Sequence, residues 1–218
     1  ELSLLEDFHH SQARYKLWFK NQCVAFSPET FVKIAKGRIS SFPMKGTIDA
    51  DLPNARQRSL EDEKEMAEHA TIVDLIRNDM SIHARHVTVD RLRYIEEIRT
   101  NEKHLLQVSS KISGQLPEDY LNNLGDIIYS LLPAGSICGA PKRKTLEIIE
   151  ASENYDRGYY TGIMGYFDGE QFDSGVLIRY IENDNGQIKY KSGGGIHFLS
   201  DSAAEYQEMI DKVYVPLR

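Results

Sequence analysis

The chain has 218 residues, of which 41% are hydrophobic and 27% are charged, a composition typical of a soluble globular protein with a substantial core. Its formal net charge of −7 provides no basic surface for nucleic acid, and no apolar run approaches the roughly 20 residues that span a bilayer. We therefore expect neither a nucleic-acid partner nor a membrane. The two cysteines, Cys23 and Cys138, are far apart and suggest no disulfide framework, which predicts a reducing compartment, the cytoplasm. The sequence opens with Glu1 and not Met, and we expect its true start to lie further upstream.

The pattern along the chain predicts an α+β fold with mostly antiparallel pairing. Runs of β-branched and aromatic residues predict strands over 22–26, 31–34, 39–42, 87–98, 104–112, 159–167, 172–181 and 187–192. Apolar residues at helical spacing predict helices over 59–77, 117–132, 141–150 and 202–214, with 49–58 as a loop. Ser59 and Asp62 resemble a capping box at the start of the first helix. Strands and helices do not alternate regularly, which argues against a parallel βαβ fold.

The stretch Ser41-Phe42-Pro43-Met44-Lys45-Gly46-Thr47 is interpreted as the end of an extended segment followed by a turn. Pro43 favours extended backbone at Phe42, and Gly46 allows the backbone to bend beside whatever Lys45 faces. Lys45 has no carboxylate close to it in the sequence. Such a lysine is either a solvated surface residue or, where it is desolvated, a nucleophilic amine. On this stretch alone the solvated surface residue is the better interpretation.

Two predicted helices each carry a Glu-x-x-Glu pair, Glu65 with Glu68 and Glu205 with Glu208. Residues three apart lie on one face of a helix. Four carboxylates that met in a cleft would repel one another unless a divalent cation lay between them, and oxygen ligands of this kind suit Mg²⁺. Each pair taken singly is weak evidence, and a solvated helix face is the better interpretation of it.

Other residues suggest anion binding. Gly193-Gly194-Gly195 follows a predicted strand, where the run forms either a tight turn or a place at which backbone approaches a ligand closely. Arg179 ends a predicted strand rich in apolar residues, and a bidentate carboxylate would suit it as a partner. His104 has the sequence context of a structural histidine.

The order of these motifs resembles that of the chorismate-binding family. The shared segments run from about Ser27 to the C-terminus, and they are Ser27-Pro28-Glu29, Pro43-Met44-Lys45-Gly46-Thr47, Glu65-x-x-Glu68-His69, Pro133-Ala134-Gly135-Ser136, Gly139-Ala140-Pro141-Lys142, Tyr160-Thr161-Gly162, Gly193-Gly194-Gly195-Ile196 and Glu205-Tyr206-Gln207-Glu208. The resemblance implies an antiparallel β-sheet sandwich core with helices packed outside. It also implies that residues 1–218 form a single chorismate-binding catalytic domain, the C-terminal part of the family fold, with the N-terminal part missing from this sequence.

Within the family, Lys45 is similar to the lysine of aminodeoxychorismate synthases, whereas anthranilate synthases usually carry Ala there. Ser136 also resembles the aminodeoxychorismate synthases, since anthranilate synthases tend to have Thr at that position. The resemblance implies that chorismate and ammonia are converted to 4-amino-4-deoxychorismate for folate synthesis, with ammonia from a separate glutamine amidotransferase subunit. Two alternatives remain: another chorismate enzyme, such as anthranilate or isochorismate synthase, or a remnant that binds chorismate without turnover. Cys138 departs from the family pattern, in which Ser or Thr is usual.

The resemblance also implies a role for each site residue. Glu29 would be the general acid and Lys45 the nucleophile. Mg²⁺ would be held by Glu68 and Glu208, with Glu65 and Glu205 at its waters or behind its ligands. The substrate-binding residues would be His104, Ser136, Tyr160, Arg179, Gly193, Gly195 and Lys212.

Overall fold

The computed structural model describes residues 4–99, 104–197 and 200–214. Within these ranges the strands, in chain order, are β1 (Tyr15–Phe19), β2 (Cys23–Ser27), β3 (Thr30–Ala35), β4 (Arg38–Ser41), β5 (Met44–Asp49), β6 (Arg85–Arg99), β7 (His104–Gln115), β8 (Ile163–Phe167), β9 (Phe172–Val176), β10 (Tyr180–Asp184) and β11 (Gln187–Lys191). The helices are α1 (Leu4–His10), α2 (Ala55–Glu61), α3 (Glu63–Ser81), α4 (Leu124–Ser130), α5 (Gly135–Cys138), α6 (Lys142–Ser152) and α7 (Ser202–Asp211). A 3₁₀ turn at Tyr120–Asn123 precedes α4. The predicted α+β class with antiparallel sheets is confirmed.

The chain divides into two units. The first comprises Glu1–Glu29, Asp156–Met164 and Gly175–Arg218, and the second comprises Thr30–Tyr155 and Gly165–Ser174. Neither unit is one continuous stretch of sequence, because the chain passes from one to the other after Glu29, Tyr155, Met164 and Ser174.

The first unit is built on a four-stranded sheet in the order β1–β2–β10–β11, in which each neighbouring pair is antiparallel. Strand β2 is buried along its whole length. Cys23 and Ala25 pack with Tyr160, Leu177 and Tyr180. Val24 and Phe26 pack with Ile181 in a separate cluster. Successive side chains of a strand point to opposite faces, so β2 contributes to an apolar cluster on each face of this sheet.

The second sheet has the order β5–β7–β4–β3–β9–β8, and β6 also pairs with β7. Most of its strands belong to the second unit, but the unit boundaries after Met164 and Ser174 fall within β8 and β9. Strand β7 organises this sheet, since β4 pairs with its C-terminal part and β5 with its N-terminal part. The long strand β6 is antiparallel to β7 with several irregularities of register. Helices α2 and α3 pack on β5 and β7, and α3 also packs on β6.

The predicted helix over 59–77 is two helices. Asp62 has extended backbone between α2 and α3, and its side chain accepts a hydrogen bond from the Glu65 N–H at 2.9 Å. Asp62 is therefore the N-cap of α3. Ser59, expected to start the helix, is a buried residue inside α2, and α2 also takes up the end of the predicted loop over 49–58. The buried face of α3 carries His69, Ile72, Val73 and Met80.

The predicted strand over 172–181 is also two elements. Strand β9 belongs to the second sheet, whereas β10 belongs to the first. The backbone leaves the extended conformation between them, with Arg179 at a φ of 52°. The Phe26 N–H donates to the Arg179 carbonyl at 3.1 Å, which attaches this crossing to the end of β2. A period-two pattern that continues across such a crossing does not reveal the change of sheet.

Glycine at position 114 is a requirement of the central strand β7. A Cβ there would lie 2.9 Å from both Ala84 Cβ and Val87 Cγ2. We expect Gly114→Ala to lower the free energy of unfolding by about 1–3 kcal/mol, because a buried strand cannot absorb the extra atom without moving its neighbours. Gly125→Ala in α4, where nothing lies within 4 Å, is the matched control and is expected to be neutral or stabilising by up to about 1 kcal/mol. Urea denaturation of both variants measures the difference, and equal stabilities would contradict the packing argument.

Candidate active site

Lys45 lies on a β-bulge and not at the predicted turn. In the pairing of β5 with β7, Lys45 is opposite Val108 and Thr47 is opposite Gln107, so Gly46 is an extra residue. Gly46 has a φ of 68°, the left-handed conformation that a bulge of this kind requires and that glycine adopts without strain. The bulge bends the strand at the residue next to the candidate nucleophile. The side chain of Lys45 is 27% exposed.

Two carboxylates of α3 lie beside this bulge. Lys45 Nζ is 3.3 Å from Glu68 Oε2, and the Glu68 side chain is 21% exposed. A Cβ at Gly46 would approach the Glu65 carboxylate to 3.2 Å. Burial raises the pKa of the Glu65 carboxyl above its ordinary value, and the neighbouring charge of Glu68 raises it further. The structure therefore brings together three of the predicted residues, Lys45, Glu65 and Glu68.

His69 lies directly after Glu68 and is buried. Its Nε2 is 2.6 Å from the Ser110 hydroxyl of β7. Burial lowers the pKa of His69 to about 4, and the positive charges of Arg93 and Lys45 act in the same direction. The imidazole is therefore neutral near pH 7. In the sequence His69 stands out only as part of the Glu-x-x-Glu-His motif, and the structure places it on the buried face of α3.

Ser136 lies in the short helix α5, which packs against α3. A Cβ at the adjacent Gly135 would lie 3.1 Å from Leu75, so glycine allows this close approach. Lys142, the first residue of α6, anchors the segment that follows α5. Its amine is 3.0 Å from both the Asp79 carboxylate and the Leu131 carbonyl. The lysine of the Gly-Ala-Pro-Lys motif thus connects the segment after α5 to the C-terminal end of α3.

His104 is not grouped with Lys45. It lies at the start of β7, where its Nε2 is 3.5 Å from Glu97 Oε2 of β6. It lies four positions before Val108, the partner of Lys45, which corresponds to about 13 Å along a strand. This contact with Glu97 is typical of a structural histidine, which is also the interpretation that its sequence context favours.

In the first unit, Glu29 follows β2 and its backbone is fixed on both sides. Its N–H donates to the Ser27 hydroxyl at 3.1 Å, and its carbonyl accepts from the Val176 N–H at 3.1 Å. The side chain is half-buried. These contacts hold the backbone of the candidate general acid independently of its carboxyl group.

The glycine run lies close to several predicted substrate-binding residues. A Cβ at Gly193 would lie 3.0 Å from the Tyr160 hydroxyl, and one at Gly194 would lie 3.8 Å from Glu205 and 3.9 Å from Lys212. Gly195 is exposed. The run is therefore a close approach of bare backbone to polar side chains.

The two glutamates of α7 have separate partners. Glu208 forms an ion pair with Lys212 at 2.6 Å, one helical turn further on. Glu205 accepts a hydrogen bond from the Ser200 hydroxyl at 2.6 Å. Asp201 caps the helix by accepting from the Ala204 N–H at 2.9 Å. The structure thus places Glu205 and Lys212 beside the glycine run in the first unit, and Glu208 pairs with Lys212.

Arg179 is held by the segment after α7. Its guanidinium donates to the Lys212 carbonyl and lies 4.8 Å from the centre of the Tyr214 ring. Its Nε is buried and has no hydrogen-bond partner in the described part of the chain. A guanidinium with an unused donor in a half-buried position is suited to a carboxylate ligand.

The predicted metal ligands fall into the two units, Glu65 and Glu68 in the second and Glu205 and Glu208 in the first. Over residues 4–99, 104–197 and 200–214, no group of three or more His, Cys, Asp or Glu side chains has the arrangement of a metal site. The donor chemistry nevertheless fits Mg²⁺, because Glu65 and Glu68 are half-buried and Glu68 raises the pKa of Glu65, and a divalent cation would offset this repulsion. Among the helices of the described residues, none has the length and apolar character to cross a membrane.

Comparison with known proteins agrees with this description. A family model for chorismate binding enzymes matches residues 3–218. The chain is 51% identical to an uncharacterized PabA-like protein of Haemophilus influenzae, covering 99% of the chain and 66% of that protein. It is 34% identical to aminodeoxychorismate synthase component 1 of Bacillus subtilis and to anthranilate synthase component 1 of Acetivibrio thermocellus, covering 90% and 89% of the chain but 42% and 40% of those proteins. The chain thus spans just under two thirds of the first relative and less of the others.

Solved structures show the same fold. Anthranilate synthase component I from Streptococcus pneumoniae matches 93% of this chain and 45% of its own, with a TM-score of 0.79 and 29% identity. The menaquinone-specific isochorismate synthase from Escherichia coli matches 94% of this chain and 49% of its own, with a TM-score of 0.77 and 19% identity. At this identity the second likeness concerns the fold alone.

The bulge at Gly46 offers a direct test of the site's geometry. We expect Gly46→Ala to lower the free energy of unfolding by more than Gly186→Ala does. Both glycines have positive φ, so both changes cost about 1–2 kcal/mol, but only the Cβ at position 46 meets the Glu65 carboxylate. Adding Glu65→Ala to Gly46→Ala should recover the difference, as measured by urea denaturation in a double-mutant cycle. Equal costs at positions 46 and 186 would show that Glu65 does not constrain the bulge.

Proposed function

We propose that this chain, which belongs to the family of chorismate-binding enzymes, is the catalytic part of an aminodeoxychorismate synthase that converts chorismate and ammonia to 4-amino-4-deoxychorismate. Family membership confirms the resemblance seen in the motifs. The relatives do not separate this reaction from anthranilate synthesis, since the identities to the two kinds of synthase are both 34%. The proposal therefore depends on the site.

One observation carries the proposal: a lysine, Lys45, occupies the bulge of β5 beside the carboxylates of α3. A lysine there supplies an amine that can add to an unsaturated ring, a reaction that the Ala usual in anthranilate synthases cannot perform. The side chain is half-buried, so the amine is not fully solvated. The contact with Glu68 occupies the amine in this state, so release of Lys45 from Glu68 must precede attack.

The proposed reaction has two displacements. Glu29 protonates the C4 hydroxyl of chorismate, which leaves as water, because hydroxide itself is a poor leaving group. Neutral Lys45 forms a bond from its amine to C2 as the two ring double bonds shift and the C4–O bond breaks. Ammonia then forms a bond to C4, the two ring double bonds shift back, and the C2–N bond to Lys45 breaks. The ammonium formed at C4 gives up a proton, which returns to the Glu29 carboxylate. Chorismate and ammonia give 4-amino-4-deoxychorismate and water, and the lysine is regenerated.

Mg²⁺ is the proposed cofactor, with Glu68 and Glu208 as its ligands and Glu65 and Glu205 supporting them. When bound, it would withdraw electron density through the ring carboxylate of chorismate and so favour attack on the ring. Glu68 has two proposed partners, the cation and Lys45. Engagement of its carboxylate away from Lys45 would leave the amine available for the ring.

The remaining residues are proposed to bind chorismate and its partners. The guanidinium of Arg179, the Tyr160 hydroxyl and the amides of Gly193 and Gly195 suit the enolpyruvyl carboxylate, with Lys212 as a further cation. Ser136 is proposed to lie near the ring. His104 retains this role only by resemblance, since its contact with Glu97 gives it no support.

We propose a separate glutamine amidotransferase subunit as the source of ammonia. The proposed compartment is the cytoplasm, where Cys23 and Cys138, both buried free thiols, stay reduced.

Replacement of Lys45 tests the nucleophile. We expect Lys45→Ala to lower 4-amino-4-deoxychorismate formation by about 10³-fold or more, because the covalent route is lost. The measurement is product analysis by mass spectrometry, with the full-length protein, chorismate, Mg²⁺ and an ammonium salt. Lys64→Ala is the matched control, since Lys64 also lies near Glu68, at 3.9 Å, and is expected to keep its activity. Trapping an adduct at Lys45 would establish the covalent step, whereas anthranilate as the wild-type product would refute the proposed reaction.

Replacement of Glu208 tests the metal site. We expect Glu208→Gln to raise the Mg²⁺ concentration needed for half-maximal activity by at least about tenfold, because a carboxylate ligand becomes a weaker amide. Asp211→Asn, another acid of α7, is the control, since its carboxylate accepts a hydrogen bond from Gln207 at 2.8 Å and has no proposed metal role. A metal titration of turnover measures both, and an unchanged response in Glu208→Gln would remove Glu208 from the ligand set.

A further inference from the structure

Ser110 connects the strand that carries Lys45 to the helix that carries Glu65 and Glu68. Its N–H donates to the Pro43 carbonyl at 3.0 Å, two residues before Lys45. Its hydroxyl bonds to His69 Nε2 at 2.6 Å, and His69 follows Glu68 in α3. Ser110 and His69 are 0% and 1% exposed. One residue of β7 thus provides a fixed reference point for both partners of the Lys45–Glu68 pair.

A third connection fixes the Ser110 hydroxyl itself. It accepts a hydrogen bond from the Arg93 N–H at 2.9 Å, at the irregular part of β6. Arg93 has a φ of 45°, a conformation that a non-glycine residue keeps only where its surroundings determine it. Its guanidinium donates to the Leu60 carbonyl at 2.7 Å, near the end of α2. The hydroxyl is therefore held in one orientation by a rigid neighbour.

The bond to Ser110 fixes the orientation of the His69 ring. The other ring nitrogen, Nδ1, is buried and has no hydrogen-bond partner within the described residues. Loss of the Ser110 bond would leave a second buried polar atom unsatisfied, which is costly in a low-dielectric interior. The ring, and with it this turn of α3, is expected to move if the hydroxyl is removed.

We propose that His69 and Ser110 are positioning residues, which set the distance between the Lys45 amine and the Glu68 carboxylate without touching the substrate. The catalytic consequence rests on the proposed function. The positioning itself belongs to the second unit and can be measured without any turnover.

Four variants separate this role from general loss of packing. Ser110→Ala deletes one oxygen atom, which is the partner of both His69 and the Arg93 N–H, and keeps the N–H that donates to Pro43. His69→Phe removes the hydrogen bond but keeps a ring, and His69→Gln restores a side-chain N–H near the position of Nε2. Ser109→Ala is the matched control, because Ser109 is also 0% exposed on β7 and its hydroxyl donates to Glu96 at 2.6 Å instead.

The first measurement is the rate at which acetic anhydride labels each lysine in the presence of a chelator, read by peptide mass spectrometry. We expect Lys45 to be labelled about two- to fivefold faster in Ser110→Ala and His69→Phe, because the amine is released from Glu68. Ser109→Ala and His69→Gln should match the wild type, and the other lysines should report an intact fold. Equal Lys45 rates in Ser110→Ala and Ser109→Ala would overturn the proposal. If His69→Phe does not fold, Ser110→Ala and His69→Gln still decide it.

The second measurement is steady-state kinetics of the full-length protein with chorismate, Mg²⁺ and an ammonium salt. Ser110→Ala should lower kcat by up to about 10²-fold, since small displacements of reacting groups are costly. Its KM for chorismate should stay within about twofold of the wild type, because substrate contacts are untouched. Absence of aminated product from the wild type would refute the proposed function while the labelling result still stands. Product formation with equal kcat in Ser110→Ala and Ser109→Ala would refute the positioning role alone.

Discussion

The pairing of β5 with β7 is the constraint on which the candidate site depends. Backbone hydrogen bonds fix Lys45 opposite Val108, and the extra residue Gly46 bends the strand at the next position. The amine consequently reaches Glu68 on α3, a helix that packs on the same two strands. A flexible side chain is thus held by a rigid sheet and a rigid helix, which is the arrangement that accurate placement of a reacting group requires.

Two carboxylates of like charge lie close together beside Lys45, so the site contains an electrostatic repulsion. Glu65 and Glu68 lie close enough for the charge of Glu68 to raise the pKa of Glu65, and burial raises it further. Lys45 offsets part of this repulsion, whereas His69 is kept neutral by its buried position and by the cations beside it. Glu65 and Glu68 thus keep two carboxylates close together beside Lys45, and a divalent cation would offset their repulsion.

Much of the site could be predicted from the sequence, because its residues occur in short motifs with helical or turn spacing. Lys45, Glu65 and Glu68 were identified in this way, and the structure groups them. The bulge at Gly46 could not be predicted, since it exists only in the register with β7, a strand some 60 residues away in the chain. The role of His69 was missed for the same reason, because its partner Ser110 lies on β7. The break at Asp62 and the change of sheet near Arg179 were missed because local patterns continue smoothly across them.

The first unit is assembled from three separate stretches of the chain, and this has a consequence for biosynthesis. Strand β2 is buried along its whole length, yet its neighbour β10 and the apolar residues Leu177, Tyr180 and Ile181 come from the last part of the chain. A nascent polypeptide leaving the ribosome would therefore present both apolar faces of β2 to the cell until those late residues emerge. Such distant pairings delay folding and leave strands exposed to aggregation. We therefore expect this protein to depend on chaperones during its synthesis.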